Sequence, residues 1–99
     1  MYLTRQKSSA SDKNEISFPL LECWNPITQV ATIAAQIDKR RVLCRISMDV
    51  LKAKFRASPD EPMSAVAKNR STLQARARIL IENEAFEEDG SIVIRSKDI

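Results

Sequence analysis

The stretch "ATIAAQIDKRRVLCRI", residues 31–46, decides how this chain folds. Ala31, Ile33, Ala35 and Ile37 fall on one parity, and Thr32, Ala34 and Gln36 on the other. A period of two is the mark of a strand with one buried face. Past the break at Asp38-Lys39-Arg40 the alternation resumes, with Val42, Cys44 and Ile46 facing inward and Arg41, Leu43 and Arg45 outward. Two alternating runs around a short polar break predict an antiparallel hairpin. A two-residue turn favours Asp-Gly; this chain has Asp38-Lys39, so Lys39 is expected to take a positive φ under slight strain.

Upstream, "EISFP" offers Ile16 and Phe18 at strand spacing, closed by Pro19, and "WNP" at 24–26 is a turn signal. Downstream, Ser47 suits a helix N-cap with Asp49 in the first turn, and Met48, Leu51 and Phe55 form an apolar stripe. "SPDEP" interrupts. Ser58-Pro59-Asp60-Glu61 has the form of a capping box, and Asp60 as the cap with Pro62 early in the helix fits as well. The second helix is predicted to run to about Phe86, burying Met63, Val66, Leu73, Ala77 and Leu80, and to end at "EEDG" with Gly90 left-handed. "SIVIR" is the last strand. The predicted order is β-β-β-α-α-β: an α+β domain over residues 15–99, with a small antiparallel sheet of about four strands and two helices packed on one face. Residues 1–14, polar and aperiodic, are read as a mobile N-terminal tail.

Several of these segments, in this order, resemble a known family. "ISFP" (16–19), "WNPITQVATIAAQIDKRRVLCRIS" (24–47), "NRSTLQARA" (69–77) and "EDGSIVIRSKDI" (88–99) are similar to the bacterial domain-of-unknown-function family 1488. That family shows a strand ending in Phe-Pro, a Trp-led turn, an Asp-Gly hairpin, an Asn-Arg in the long helix and an Asp-Gly before the last strand. Lys39 departs from the pattern, since the family usually has Gly there. The resemblance spans residues 15–99 and implies a small α+β domain; it implies no activity.

Composition narrows the chemistry. The 99 residues contain 43% apolar and 29% charged residues, ordinary for one globular domain. No apolar run approaches the roughly 18 residues of a membrane span, and the N-terminus has no apolar signal core. The expectation is a cytoplasmic protein with no membrane contact. Cys23 and Cys44, far apart in sequence, are expected as free thiols, and two cysteines without histidine cannot fill a zinc site without carboxylates. No histidine is present to act as base or to activate a nucleophile. Gly90 is the only glycine, so there is no Gly-rich phosphate loop. The sequence is therefore read as non-enzymatic, with no catalytic residues, no metal and no cofactor.

The net charge of +3 is uneven: residues 39–78 carry eleven cations against three anions, and residues 79–99 two cations against six anions. Lys39, Arg40, Arg41 and Arg45 form a candidate basic surface, read chiefly as a solvated sheet edge. The acidic cluster Glu82, Glu84, Glu87, Glu88 and Asp89 is read chiefly as a solvated helix end rather than a hard-cation site, and its place where the helix dipole prefers cations is a mild hint of a basic partner such as a second copy's Lys39–Arg45 region. Trp24 is expected as an aromatic plug over one end of the sheet. Arg70 interrupts the apolar stripe of the second helix. Two readings stand: an ion pair with a carboxylate such as Asp38 or Asp98, or an anion- or partner-binding Arg beside Asn69. The function expected is a protein-interaction or regulatory accessory module, its partner another protein or itself as a homodimer, with Leu43 and Ala34 on the outer sheet face. The alternative is a weak nucleic-acid binder using residues 39–78.

Overall fold

The computed structural model describes residues 15–99; the expected N-terminal tail lies outside them. The hairpin forms as read. β3 (Val30–Ile37) and β4 (Arg40–Ser47) pair antiparallel along their full length, from Val30 opposite Ser47 to Ile37 opposite Arg40. Ala31, Ile33, Ala35, Val42, Cys44 and Ile46 are buried on one face. Burial pushes the Cys44 thiol up to about 12.

Two short strands share the free edge of β3. β1 (Ile16–Ser17) pairs with its C-terminal end and β2 (Glu22–Asn25) with its N-terminal end, both antiparallel. β2 was not expected: Trp24-Asn25-Pro26 was read as a turn signal. The turn follows, with Asn25 Oδ1 accepting from Ile27 N and Thr28 N at 2.9 and 3.2 Å. Between β1 and β2, residues 18–21 oppose only residues 34–35 of β3, so the chain bulges outward at Pro19.

Three helices follow: α1 (Met48–Phe55), α2 (Pro62–Lys68) and α3 (Arg70–Glu82). Ser47 caps α1, its Oγ accepting from Val50 N at 3.3 Å. The capping box at Ser58 does not form, and Glu61 precedes α2 without a side-chain cap bond. A helix opened at Pro59 would place Pro62 where an N–H must bond back to Ser58; proline has none, so the helix starts at Pro62. The expected single long helix is broken at Asn69. Its N–H and its Nδ2 both donate to Ala65 O, at 3.1 and 2.8 Å, while its own carbonyl accepts from Leu73 N at 3.0 Å. A side-chain amide competing for a helical carbonyl is why asparagine favours helix ends.

α3 also ends earlier than Gly90. Glu84, at φ 56°, closes it: Ala85 N reaches Leu80 O and Glu84 N reaches Ile81 O, both 2.9 Å. Gly90, at φ 85°, serves a later turn. The helices carry the chain across the sheet, so β5 (Ile92–Val93) runs parallel to β4 rather than antiparallel as expected. A 3-10 turn, Ser96–Asp98, follows. The architecture is α+β, a five-stranded mixed sheet with helices on one face. Leu51, Val66, Leu73, Ala77, Ile81, Ile92 and Ile94 complete the core.

At the hairpin, positive φ falls on Asp38 (53°) and not on Lys39; Gln29, Arg56 and Glu84 share this conformation. Asp tolerates it better than Lys, because its short polar side chain bonds locally. Relieving the strain at Arg56→Gly and Glu84→Gly should raise stability by about 0.5–1 kcal/mol each, with a smaller gain for Asp38→Gly. Lys39→Gly should instead lower it by about 0.4–1 kcal/mol, by loosening the unfolded chain alone. Urea unfolding midpoints of the four variants check the ranking; a gain for Lys39→Gly would put the strain back on Lys39.

Candidate functional site

Strand β2 divides the surface. Antiparallel pairing puts directly opposed side chains on one side, so Glu22 and Trp24, opposite Ile33 and Ala31, point to the helix-covered face. Cys23, opposite Thr32, points to the outer face.

On the inner side Glu22 meets Arg70, the first residue of α3. Arg70 Nη2 donates to Glu22 Oε1 at 3.0 Å and Nε donates to Oε2, a two-point pair of charged groups. The Arg70 hydrogen bond holds the Glu22 carboxyl below its ordinary value and in turn raises the Arg70 guanidinium. The carboxylate is Glu22, not Asp38 or Asp98. Asn69 donates its Nδ2 to Ala65 O and borders a small depression of about 170 Å³ shared with Arg56, Ser58, Glu61 and Lys68, while Arg70 Nε and Nη2 are both engaged with Glu22. Trp24 is half-buried against the core rim.

The basic surface is divided too. Lys39 sits exposed in the turn and Arg41 on the exposed outer face. Arg40 shares parity with Val42 and lies over the Phe86 ring, 5.1 Å from its centroid. Arg45 Nη1 pairs with Asp89 Oδ2 at 3.0 Å. Asp89 also accepts from the Ser91 hydroxyl at 2.6 Å and the Ser91 N–H at 3.0 Å; these bonds, more than Arg45, bring its carboxyl down to about 2. Arg95 approaches Glu87 at 3.6 Å. The acidic end of α3 thus meets the basic hairpin of its own chain. Arg40, Glu82 and Glu84 stand at the mouth of a cleft of about 520 Å³ floored by Ile16, Ile37, Ile81 and Phe86. Among the described residues no three Cys, Asp or Glu side chains are grouped to hold a metal ion, and no helix is long and apolar enough to cross a membrane.

Among the described residues the outer face carries no helix. Ala34 there is only 2% exposed, ringed by Leu21, Cys23, Thr32, Arg41 and Leu43, which with it line a depression of about 250 Å³. Leu43 is 40% exposed, Leu21 47% and Leu20 78%. Leu20 and Leu21 were missed in the sequence, because only the bulge beside Pro19 turns them out of the sheet.

The chain matches the family described as "Protein of unknown function (DUF1488)" over residues 16–94. The chain belongs to the DUF1488 family. Among solved structures it is similar to a protein of unknown function from the DUF1488 family of Shewanella loihica PV-4, 25% identical, with a TM-score of 0.72 over 79% of this chain and 89% of that chain. No curated protein matches. The resemblance read from "ISFP" through the final Asp-Gly strand is thus shown, and with it the DUF1488 fold. The Shewanella protein's description names no activity.

In this DUF1488 chain the Glu22–Arg70 pair ties the edge strand to α3. Arg70→Met should destabilise less than Arg70→Ala, because Met keeps the packing of the stem. Depressed carboxylates stabilise the fold above their unfolded values and lose that contribution as pH falls through the folded ones. The Asp89 contribution should therefore fade between 3.8 and about 2, and the Glu22 contribution below 4.5. Urea midpoints measured down to about pH 2 should fall less steeply for Glu22→Gln and Asp89→Asn than for the parent. Parallel acid limbs would show that neither pair contributes.

Proposed function

We propose that this domain is a non-enzymatic protein-interaction module that binds a partner protein through the outer face of its sheet. The observation that carries this reading is the apolar depression around Ala34, free of any helix among the described residues, with Leu21 and Leu43 exposed beside it. Apolar surface gathered on one face is the usual ground for association, whereas scattered exposed apolar residues are not. Arg41 stands at its rim, exposed and in no salt bridge among the described residues. The partner chemistry that fits is an apolar segment with a carboxylate at its edge. Two matching faces brought together would oppose Arg41 to its own copy, which favours a different protein over a homodimer. Two free cysteines, one exposed and one buried, support a reducing compartment, the cytoplasm.

Nucleic-acid binding takes second place because phosphate grips need free cations converging on one surface. Arg45 and Arg70 are paired with carboxylates, Arg40 lies over Phe86, and Arg78 Nη2 donates to Ile16 O at 3.0 Å.

Leu43→Glu tests the first reading. It should cost about 1 kcal/mol or less. It should also remove the partners retained by the parent chain from nuclease-treated native lysate, with the partner then identified and its direct binding measured. Retention of the same partners by Leu43→Glu would reject the outer face. For the second reading, DNA and RNA binding across a salt series should show only non-specific affinity, about 10⁻⁴ to 10⁻⁶ M near physiological salt. Nanomolar affinity abolished in Arg40→Ala/Arg41→Ala/Arg45→Ala would reverse the order of the two readings.

A further inference from the structure

On the inner side of β2, away from the outer face, the exposed part of Trp24 borders a second groove. Asp60, Glu61, Pro62, Met63 and Ser64, leading into the first turn of α2, form its other wall, and the groove holds about 490 Å³. Asp60 and Glu61 are exposed and meet no cation among the described residues. Trp24 supplies an aromatic face and Met63 a half-buried apolar side chain. Among the described residues β2 pairs with β3 on one side only, so the backbone groups of alternate β2 residues on its far side have no strand partner there.

We propose that this groove binds an extended segment of another protein that carries a lysine or arginine. The segment adds as a strand to the open edge of β2 and sets its cation against Trp24, between Asp60 and Glu61. Three properties of the groove converge on that ligand. Two carboxylates that meet no cation among the described residues call for positive charge. An aromatic face strengthens the hold on a cation through its quadrupole. An open strand edge offers main-chain hydrogen bonds to an extended chain and to no compact ligand. The same arrangement disfavours an anionic segment and a helical one. The site is independent of the outer face, because Trp24 and Cys23 point to opposite sides of the sheet, so either surface stands or falls alone.

Trp24 is the sole tryptophan of the chain, so its fluorescence reports on this groove. The probe is a capped octapeptide of alternating threonine and valine with one central lysine, titrated into the full chain. A saturable change in fluorescence that weakens as salt rises is expected. Replacing the lysine with glutamine, or using Asp60→Asn/Glu61→Gln protein, should each weaken binding by about tenfold or more. N-methylation of alternate peptide backbone nitrogens on the donating side should abolish it, because a methylated amide cannot add to a strand edge. Trp24→Ala removes core packing as well as the groove wall, so the doubly neutralised variant, which alters only exposed side chains, carries the decision. Absence of saturation at millimolar peptide, equal binding of the glutamine peptide, or equal binding of the N-methylated peptide would each overturn the proposal. So would concentration-dependent self-association of the parent that Asp60→Asn/Glu61→Gln abolishes, since the occupant would then be a second copy's basic hairpin.

Discussion

The register of β3 on β4 is the constraint on which the rest of the molecule depends. Eight residues pair with eight, and the period of a strand is two, so a slip by one residue would exchange the two faces. Val42, Cys44 and Ile46 would enter water while Arg41 and Arg45 went under the helices. Burying one such aliphatic side chain is worth about 1.5–3 kcal/mol, and a small domain has about 5–15 kcal/mol in total. No slipped register survives that comparison. The same register, passed through β3 to β2, sends Glu22 and Trp24 inward and Cys23 outward. Both surfaces described above are consequences of it.

The register also explains why a chain strongly polarised in sequence is less so in space. The basic middle and the acidic end are brought together because β5 lies beside β4, which sets Asp89 against Arg45 and Phe86 under Arg40. Arg70 is tied to Glu22 from the opposite end of the sequence. An acidic residue late in a helix is unfavourable to the helix dipole taken alone. Here Glu82 and Glu84 line one cleft with Arg40, whose cation lies on the side of the fold that needs it.

How much could be read beforehand follows the length of each signal. The hairpin was legible because its alternation runs through sixteen residues, and Ser47 because a cap is a local device. β2 was not, since four residues give only two turns of alternation, and Pro19-Leu20-Leu21 blurs their start. The break at Asn69 was hidden because the helical spacing of Met63, Val66, Leu73 and Ala77 carries across it. What breaks the helix is a side-chain bond, which periodicity does not register. The pairing of β5 was beyond reach, as two residues carry no information about direction. For the site, Arg70 stood out as a charge in an apolar stripe, but its partner could not be named, because Glu22 belongs to the strand that the sequence concealed. The positive φ was assigned to Lys39 from the Asp-Gly preference of two-residue turns and fell one residue earlier, on the side chain that tolerates it better.

The two free edges of the sheet are managed differently, and the difference bears on what the domain can bind. An exposed row of backbone donors and acceptors invites pairing with any extended chain, so most proteins shorten, interrupt or cover it. On one side β5 has two residues before a 3-10 turn and pairs only with Cys44 and Arg45 of β4, and the rest of that edge carries the charged Arg40 and Arg41. On the other, β1 is equally short and the bulge at Pro19 separates it from β2, since proline offers no donor and the displaced chain has no straight edge. The β1 half of that edge is thus closed by the same means as β5. Glu22–Asn25 keeps a regular strand geometry with no strand on its far side among the described residues. That segment holds the sole tryptophan and lies against two exposed carboxylates at the start of α2. A short strand edge set between a proline bulge and a turn, beside an aromatic ring and two exposed carboxylates, restricts both the length and the charge of what can be added there.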